Sequence, residues 1–273
     1  MVQPWLIANR TSGSHDPALC DAIEETVAKY SRDIVRIISL PDDPLPDAAE
    51  AKASGTELIV IFTGDGTVSM AVDALEGWQG DLLVLPGGTM NLLSRKLHGA
   101  REPLAILEAA LKPEAQRAIL PVAQGHGLRS LVGIVAGPTA AWGEVREDMR
   151  QLNVGGLIES VPQALQETLQ GDPVSVDGVE GEFEAVFVDP QAEGLRVNGI
   201  HAGTAAELLQ HGWAWLKGDF REGPHTPLIC TPEVVLRREG AFALLVDGEQ
   251  AEAASPCRFT LGACPLRFIA TRK

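Results

Sequence analysis

The sequence has 273 residues, 45% of them hydrophobic and 22% charged, with a formal net charge of −15. That composition belongs to a folded globular chain of one large domain or two ordinary ones. Residues 1–120 carry 10 Lys and Arg against 17 Asp and Glu, and the remainder 12 against 20, so neither half offers the basic face that nucleic acid or a polybasic lipid anchor requires.

The first half alternates strand and helix signals. PWLIAN (4–9) reads as a short buried strand. DPALCDAIEETVAKY (16–30) reads as a helix with Leu19, Ile23, Val27 and Tyr30 at helical spacing, Asp16 as N-cap and Pro17 at the first position. DIVRIISL (33–40) is a second strand, and a proline-rich turn leads to a short helix near 46–53. ELIVIF (57–62) is a strand followed by TGDGT and a helix near 67–76. DLLVLP (81–86) is a strand followed by GGTMNLLSRKLHG and a helix, and EPLAILEAALK (102–112) is another helix. Alternation of this kind predicts a parallel sheet with helices on both faces.

After about residue 115 the rhythm changes. QRAILPVAQ, RSLVGIVAG, PVSVDG, EFEAVFVDP, GLRVNGI, HTPLICTP, FALLVDGE, CRFTLGA and PLRFIATR are short alternating or β-branched runs separated by Gly, Pro and Asp. They predict an antiparallel sandwich or barrel. Helical stretches at roughly 139–152 and 159–170 interrupt them. The expected organisation is an α/β nucleotide-binding domain over 1–118 and a mainly antiparallel β-sandwich over 119–273, with the extreme C-terminus free to pack back on the first domain.

Cys20, Cys230, Cys257 and Cys264 have no paired metal-ligand spacing. Pro4 and Trp5 interrupt any signal-peptide pattern, and no run of 18 apolar residues exists. The expectation is a cytoplasmic protein with reduced thiols, whose membrane contact, if any, is peripheral. The sequence leaves its oligomeric state open.

In an open parallel sheet, ligands bind beyond the carboxyl ends of the strands. Three loops fall there: NRTSGSH (9–15), TGDGT (63–67) and PGGTMN (86–91). Each alone reads equally as a glycine turn and helix cap. Together they favour a phosphate-bearing ligand at helix N-termini. The P-loop pattern is absent, and Ser69 stands where a dinucleotide fingerprint needs its third small residue. Asp65, between Gly64 and Gly66, would repel a bare phosphate. A cation between them reverses the sign, so Asp65 is expected to hold Mg²⁺.

TGDGTVS with PGGTMNLLSR, preceded by ANRTSGS, resembles the diacylglycerol kinase catalytic family, which includes bacterial soluble lipid kinases and sphingosine kinases and is distantly similar to NAD kinases. The resemblance covers roughly the first 100 residues. It implies ATP and Mg²⁺ as cofactors, a lipid acceptor, and nucleotide contacts from Asn9, Ser12, Gly13, Thr63, Gly64, Asp65, Gly66, Thr67, Gly87, Gly88, Thr89 and Asn91. It also implies that LLVDGEQ (244–250) supplies the catalytic base, with Asp247 in that role and Glu249 assisting. Asp-Gly between strand-like runs is equally a tight hairpin turn. Thr63 replaces a family glycine, and Arg10 a family proline or lysine. No Asp-Gly-Leu segment stands between Gly199 and Phe220.

Three functions follow: a lipid kinase, a non-catalytic nucleotide- or lipid-binding descendant, or a kinase of a soluble acceptor such as NAD. Arg95 and Lys96 reach phosphate in one reading and form a solvated helix end in the other. Trp213 and Trp215 face lipid or pack in a core. His15, His98, His201, His211 and His225 form no metal motif.

Overall fold

The run LIVIFT becomes β3 (Leu58–Thr63), buried along its whole length in a computed structural model of the chain. A strand apolar on both faces belongs at the centre of a parallel sheet covered on each side. Residues 3–10, 17–30, 33–137, 172–200 and 226–272 are described. They form two compact units, Met1–Leu120 with Cys264–Lys273, and Pro121–Ala263.

In the first unit β1 (Trp5–Asn9) lies between β2 (Arg36–Leu40) and β3, and β4 (Asp81–Pro86) follows β3; all pair in parallel. The last strand of the chain, β15 (Cys257–Ala270), adds itself parallel to β4 through Arg267 and Phe268. Asp81 sits at that seam, within 3.0 Å of both Arg117 and Arg267. The strand order 2-1-3-4 reverses direction between β1 and β3, where the crevice of a doubly wound sheet opens.

The helices are α1 (Pro17–Lys29), α2 (Ala48–Ser54), α3 (Asp65–Ala74), α4 (Leu92–His98) and α5 (Pro103–Ala110). Ile23 and Val27 of α1 join Ile106, Leu107 and Ala110 of α5 over Leu6, Val60 and Leu83 of the sheet in one core. Asp47 caps α2, accepting the Glu50 amide, and Gly55 closes the same helix in the left-handed conformation at φ 73°.

The second unit is a two-sheet sandwich. Its first sheet runs β11 (Thr226–Thr231), β10 (Gly194–Ile200), β9 (Ala185–Gln191), β7 (Ile134–Gly137), β13 (Phe242–Val246) and β14 (Glu249–Ala253), with every pair antiparallel. In the second, the start of β15 pairs with β12 (Glu233–Arg237), which pairs with β8 (Ser175–Val176). β5 (Gln116–Gly125) pairs with β15 and with β6 (Leu128–Ser130). Val186, Val188, Val197, Phe242 and Leu244 of one sheet meet Ala123, Val234, Leu236 and Phe259 of the other in a single core.

The fold class is the expected one, and several boundaries differ. α3 begins at Asp65 rather than 67, because Gly64 serves as its N-cap. RSLVGIVAG is two strands broken at Leu131–Gly133. CRFTLGA and PLRFIATR are one strand, and β12 and β14 carry no strand signal in the sequence reading. The helical stretches at 139–152 and 159–170 lie outside the described residues, as do Ser12, Gly13, His15, Asp16, His201, His211, Trp213, Trp215 and His225. Cys20, Cys230, Cys257 and Cys264 are all free thiols. Among the described residues no helix is long and apolar enough to cross a membrane.

Candidate active site

The end of β1 and the loops after β3 and β4 meet at the carboxyl edge of the sheet. Asn9 ends β1 and its side-chain amide donates to Thr67 Oγ1 of α3 at 3.1 Å. Gly88, after β4, lies so close to Gly64 that a Cβ on it would stand 2.5 Å from the Gly64 Cα. Gly87 is equally confined: its Cβ would stand 2.6 Å from the Thr63 nitrogen. The two adjacent glycines are therefore required by backbone packed on backbone, which glycine alone permits at such distances. Asn91 adopts a left-handed conformation at φ 53° and bonds Gly88 through both ends of its amide, at 2.7 Å each.

Asp65 is the first residue of α3 and is nearly buried. Its Oδ2 accepts the amide of Leu92 at 3.1 Å and its Oδ1 that of Leu93 at 3.2 Å, so it closes the N-terminus of α4 from 27 residues upstream. The carboxylate thus meets the positive end of a helix. Each carboxylate oxygen accepts one amide and keeps a further lone pair, so Asp65 organises the start of α4 and retains acceptor capacity for a cation, directly or through water. Among the described residues no cluster of three or more His, Cys, Asp or Glu side chains is placed to hold a metal. Asp65→Ala is expected to destabilise the first unit by about 2–3 kcal/mol, the scale for losing buried hydrogen bonds to a charged group. Urea unfolding followed by circular dichroism measures it.

What faces outward around these contacts is a donor set for an anion. The N-cap of α3 is Gly64, which supplies no side chain to its first turn. Asn9, Gly64, Gly66 and Asn91 are half-buried and Thr89 is exposed, whereas Thr63, Thr67, Gly87 and Gly88 are buried. The expected contact residues therefore divide into those that build the loops and those that can touch a ligand.

In the second unit, Asp247 and Gly248 have φ 50° and 86° and form a two-residue turn closing β13 onto β14, with Val246 opposite Glu249. Two successive positive φ values are the type I′ requirement that Asp-Gly satisfies. Asp247 is 5% exposed. Its Oδ1 accepts Ser130 Oγ at 2.5 Å, Val132 N at 2.8 Å and Gly133 N at 3.0 Å; its Oδ2 accepts Leu131 N at 2.8 Å. In return the Asp247 amide donates to the Gly133 carbonyl at 3.0 Å. Asp247, the expected base, is thus held by four donors of the Ser130–Gly133 turn. Glu249, two residues on, is exposed. The Ser130–Gly133 turn was not singled out in the sequence; its one signal there is Gly133, where a Cβ would lie 2.3 Å from the Phe187 ring.

His98, on the last turn of α4, is buried, and its Nδ1 lies 3.0 Å from Thr271 Oγ1. Burial pushes its pKa down from 6.5 to about 4; a backbone hydrogen bond with Val84 opposes the shift and the charge of Arg101 adds to it. The unfolded chain binds this proton first, so the stability the neutral ring contributes is full above pH 6.5 and is lost as the pH falls toward 4. Lowering the pH from 7 to 5 is expected to cost about 2 kcal/mol through this residue. Comparing urea midpoints of the wild type and His98→Leu at the two pH values measures it.

Residues 3–122 match the diacylglycerol kinase catalytic domain, a family of phosphotransferases. A solved diacylglycerol kinase from Bacillus anthracis aligns with 98% of this chain and 96% of its own at 20% identity and a TM-score of 0.65. A second structure from that organism, given the same name provisionally, aligns over 98% and 96% at 18% identity and a TM-score of 0.63. No curated protein matches the sequence.

Proposed function

Starting from residues 3–122 as a diacylglycerol kinase catalytic domain, we propose that the protein transfers the γ-phosphoryl group of ATP to the hydroxyl of diacylglycerol or a related lipid. The observation that carries this reading is the joining of Asn9 at the end of β1 with the loops after β3 and β4 into one edge beside the strand reversal. Phosphoryl transfer asks the protein mainly for positioning and charge stabilisation. First-turn amides of α3 hold the phosphates, and Asn9, Thr89 and Asn91 contact the nucleotide from the loop edges. Asp65 positions both helix starts. A kinase Mg²⁺ is held largely by phosphate oxygens and water, which demands no protein cage, so the cation belongs with the nucleotide.

Glu249 is the acceptor's base in this proposal. It takes the hydroxyl proton as the oxygen attacks the γ-phosphorus and the bond to the β-phosphate oxygen breaks. Asp247 fixes the turn that presents it.

One observation favours the second reading, a nucleotide-binding protein without transfer: Asp65 and Asp247 both accept backbone amides that anchor neighbouring segments. Label transfer from γ-labelled ATP separates the two. The acceptor panel is diacylglycerol, monoacylglycerol and a long-chain base in detergent micelles, and NAD in solution. Labelled lipid is expected. Labelled NAD alone would move the assignment to a soluble acceptor, and bound ATP without any labelled product would establish the non-catalytic reading. Fractionation of the producing cells tests the proposed cytoplasmic location with peripheral membrane contact.

A further inference from the structure

A polar cavity borders α4 and the end of the loop after β4, with Pro86 and Asn91 in its wall. It measures about 370 Å³, within the range of small-molecule sites, and opens between the starts of α1 and α5. Leu19 and Ala100 line it together with Asn91, Ser94, Arg95 and Arg101. Three features set it apart from an ordinary surface hollow. Ser94 is 2% exposed, and its hydroxyl has no hydrogen-bond partner. Such orphans are rare and call for an explanation. Arg95 is half-buried, and among the described residues its guanidinium has no hydrogen bond or ion pair. Arg101 is held in place by Thr271 Oγ1 at 3.2 Å and the Ala105 carbonyl at 3.1 Å, which leave part of its five-donor fork unused. Glu102 and Pro103 close the cavity at the start of α5, where proline offers no N–H.

We propose that this cavity binds a phosphate monoester. Two guanidinium forks and a buried hydroxyl surround one space, against the single carboxylate of Glu102. Donors converging from α4 and the 99–102 turn match the tetrahedral oxygens of a phosphate better than a planar carboxylate. In a chain with a net charge of −15, this local excess of cationic donors runs against the general field. Asn91 belongs to both places: it lines the cavity and clamps Gly88 in the candidate nucleotide loop. An occupant would therefore bear on the loop through the start of α4.

The phosphate can come from a free solute or from a lipid headgroup, and two titrations distinguish them. Calorimetry with inorganic phosphate at constant ionic strength reads the first. Cosedimentation with phosphatidylcholine vesicles containing phosphatidic acid, against phosphatidylcholine alone, reads the second. Saturable binding in either arm is expected, weakened about tenfold or more by Arg95→Gln, which removes a charge-assisted fork. Ala100→Trp, at an exposed rim position, should obstruct the cavity with its charges intact and give the same loss. Thermal unfolding without ligand establishes that each variant is folded. Absence of saturable binding in both arms, or binding that both substitutions leave unchanged, overturns the proposal.

Discussion

Asp247→Asn is expected to destabilise the second unit by about 2–3 kcal/mol, with a fall in melting temperature of roughly 5–10 °C. The substitution keeps the size of the side chain, and asparagine tolerates a φ of 50°. It fails on hydrogen bonding. With Oδ1 retained for Ser130, Val132 and Gly133, the new NH₂ group points at the Leu131 amide, donor against donor. The opposite flip saves Leu131 and abandons the other three. Scanning calorimetry without ligand measures the change. An unchanged melting temperature with lost turnover would return Asp247 to the role of base.

Glu249→Gln is expected to behave in the complementary way. Losing a positioned general base lowers kcat on the order of 10²–10⁴-fold. Glu249 is exposed, so stability should stay within about 0.5 kcal/mol. The affinity for ATP should also hold, because the nucleotide donors lie on other elements. Steady-state turnover with a lipid acceptor, equilibrium nucleotide binding and a melting curve together give the three readouts. Turnover equal to wild type would remove Glu249 from the chemistry.

The central strands and the change from α/β to β-rich pattern were legible because local sequence determines them. β3 is apolar throughout, and α1 carries its spacing plainly. β14, with sequence EQAEA, has almost no strand propensity and exists through its pairing with β13. Gly262 and Pro265 read as breaks, yet β15 runs through both because neighbours pair on either side of them. The loops of the candidate site were visible as motifs, but the tasks of their residues were not. Asp65 answers to amides 27 and 28 residues away, and Asp247 to groups 114–117 residues upstream. Spacing along the chain identifies a carboxylate beside glycines and leaves its partners unspecified.

Because β15 supplies the strand beside β4, the first unit draws its final piece from residues 264–272, which leave the ribosome about 140 residues after Leu120. Until then the growing polypeptide carries β4 with one unpaired backbone edge, and Asp81 without its second arginine. An open edge of this kind invites pairing with another nascent chain. Vectorial synthesis thus completes the amino-terminal sheet last, and expression of residues 1–120 alone should yield a product prone to aggregation.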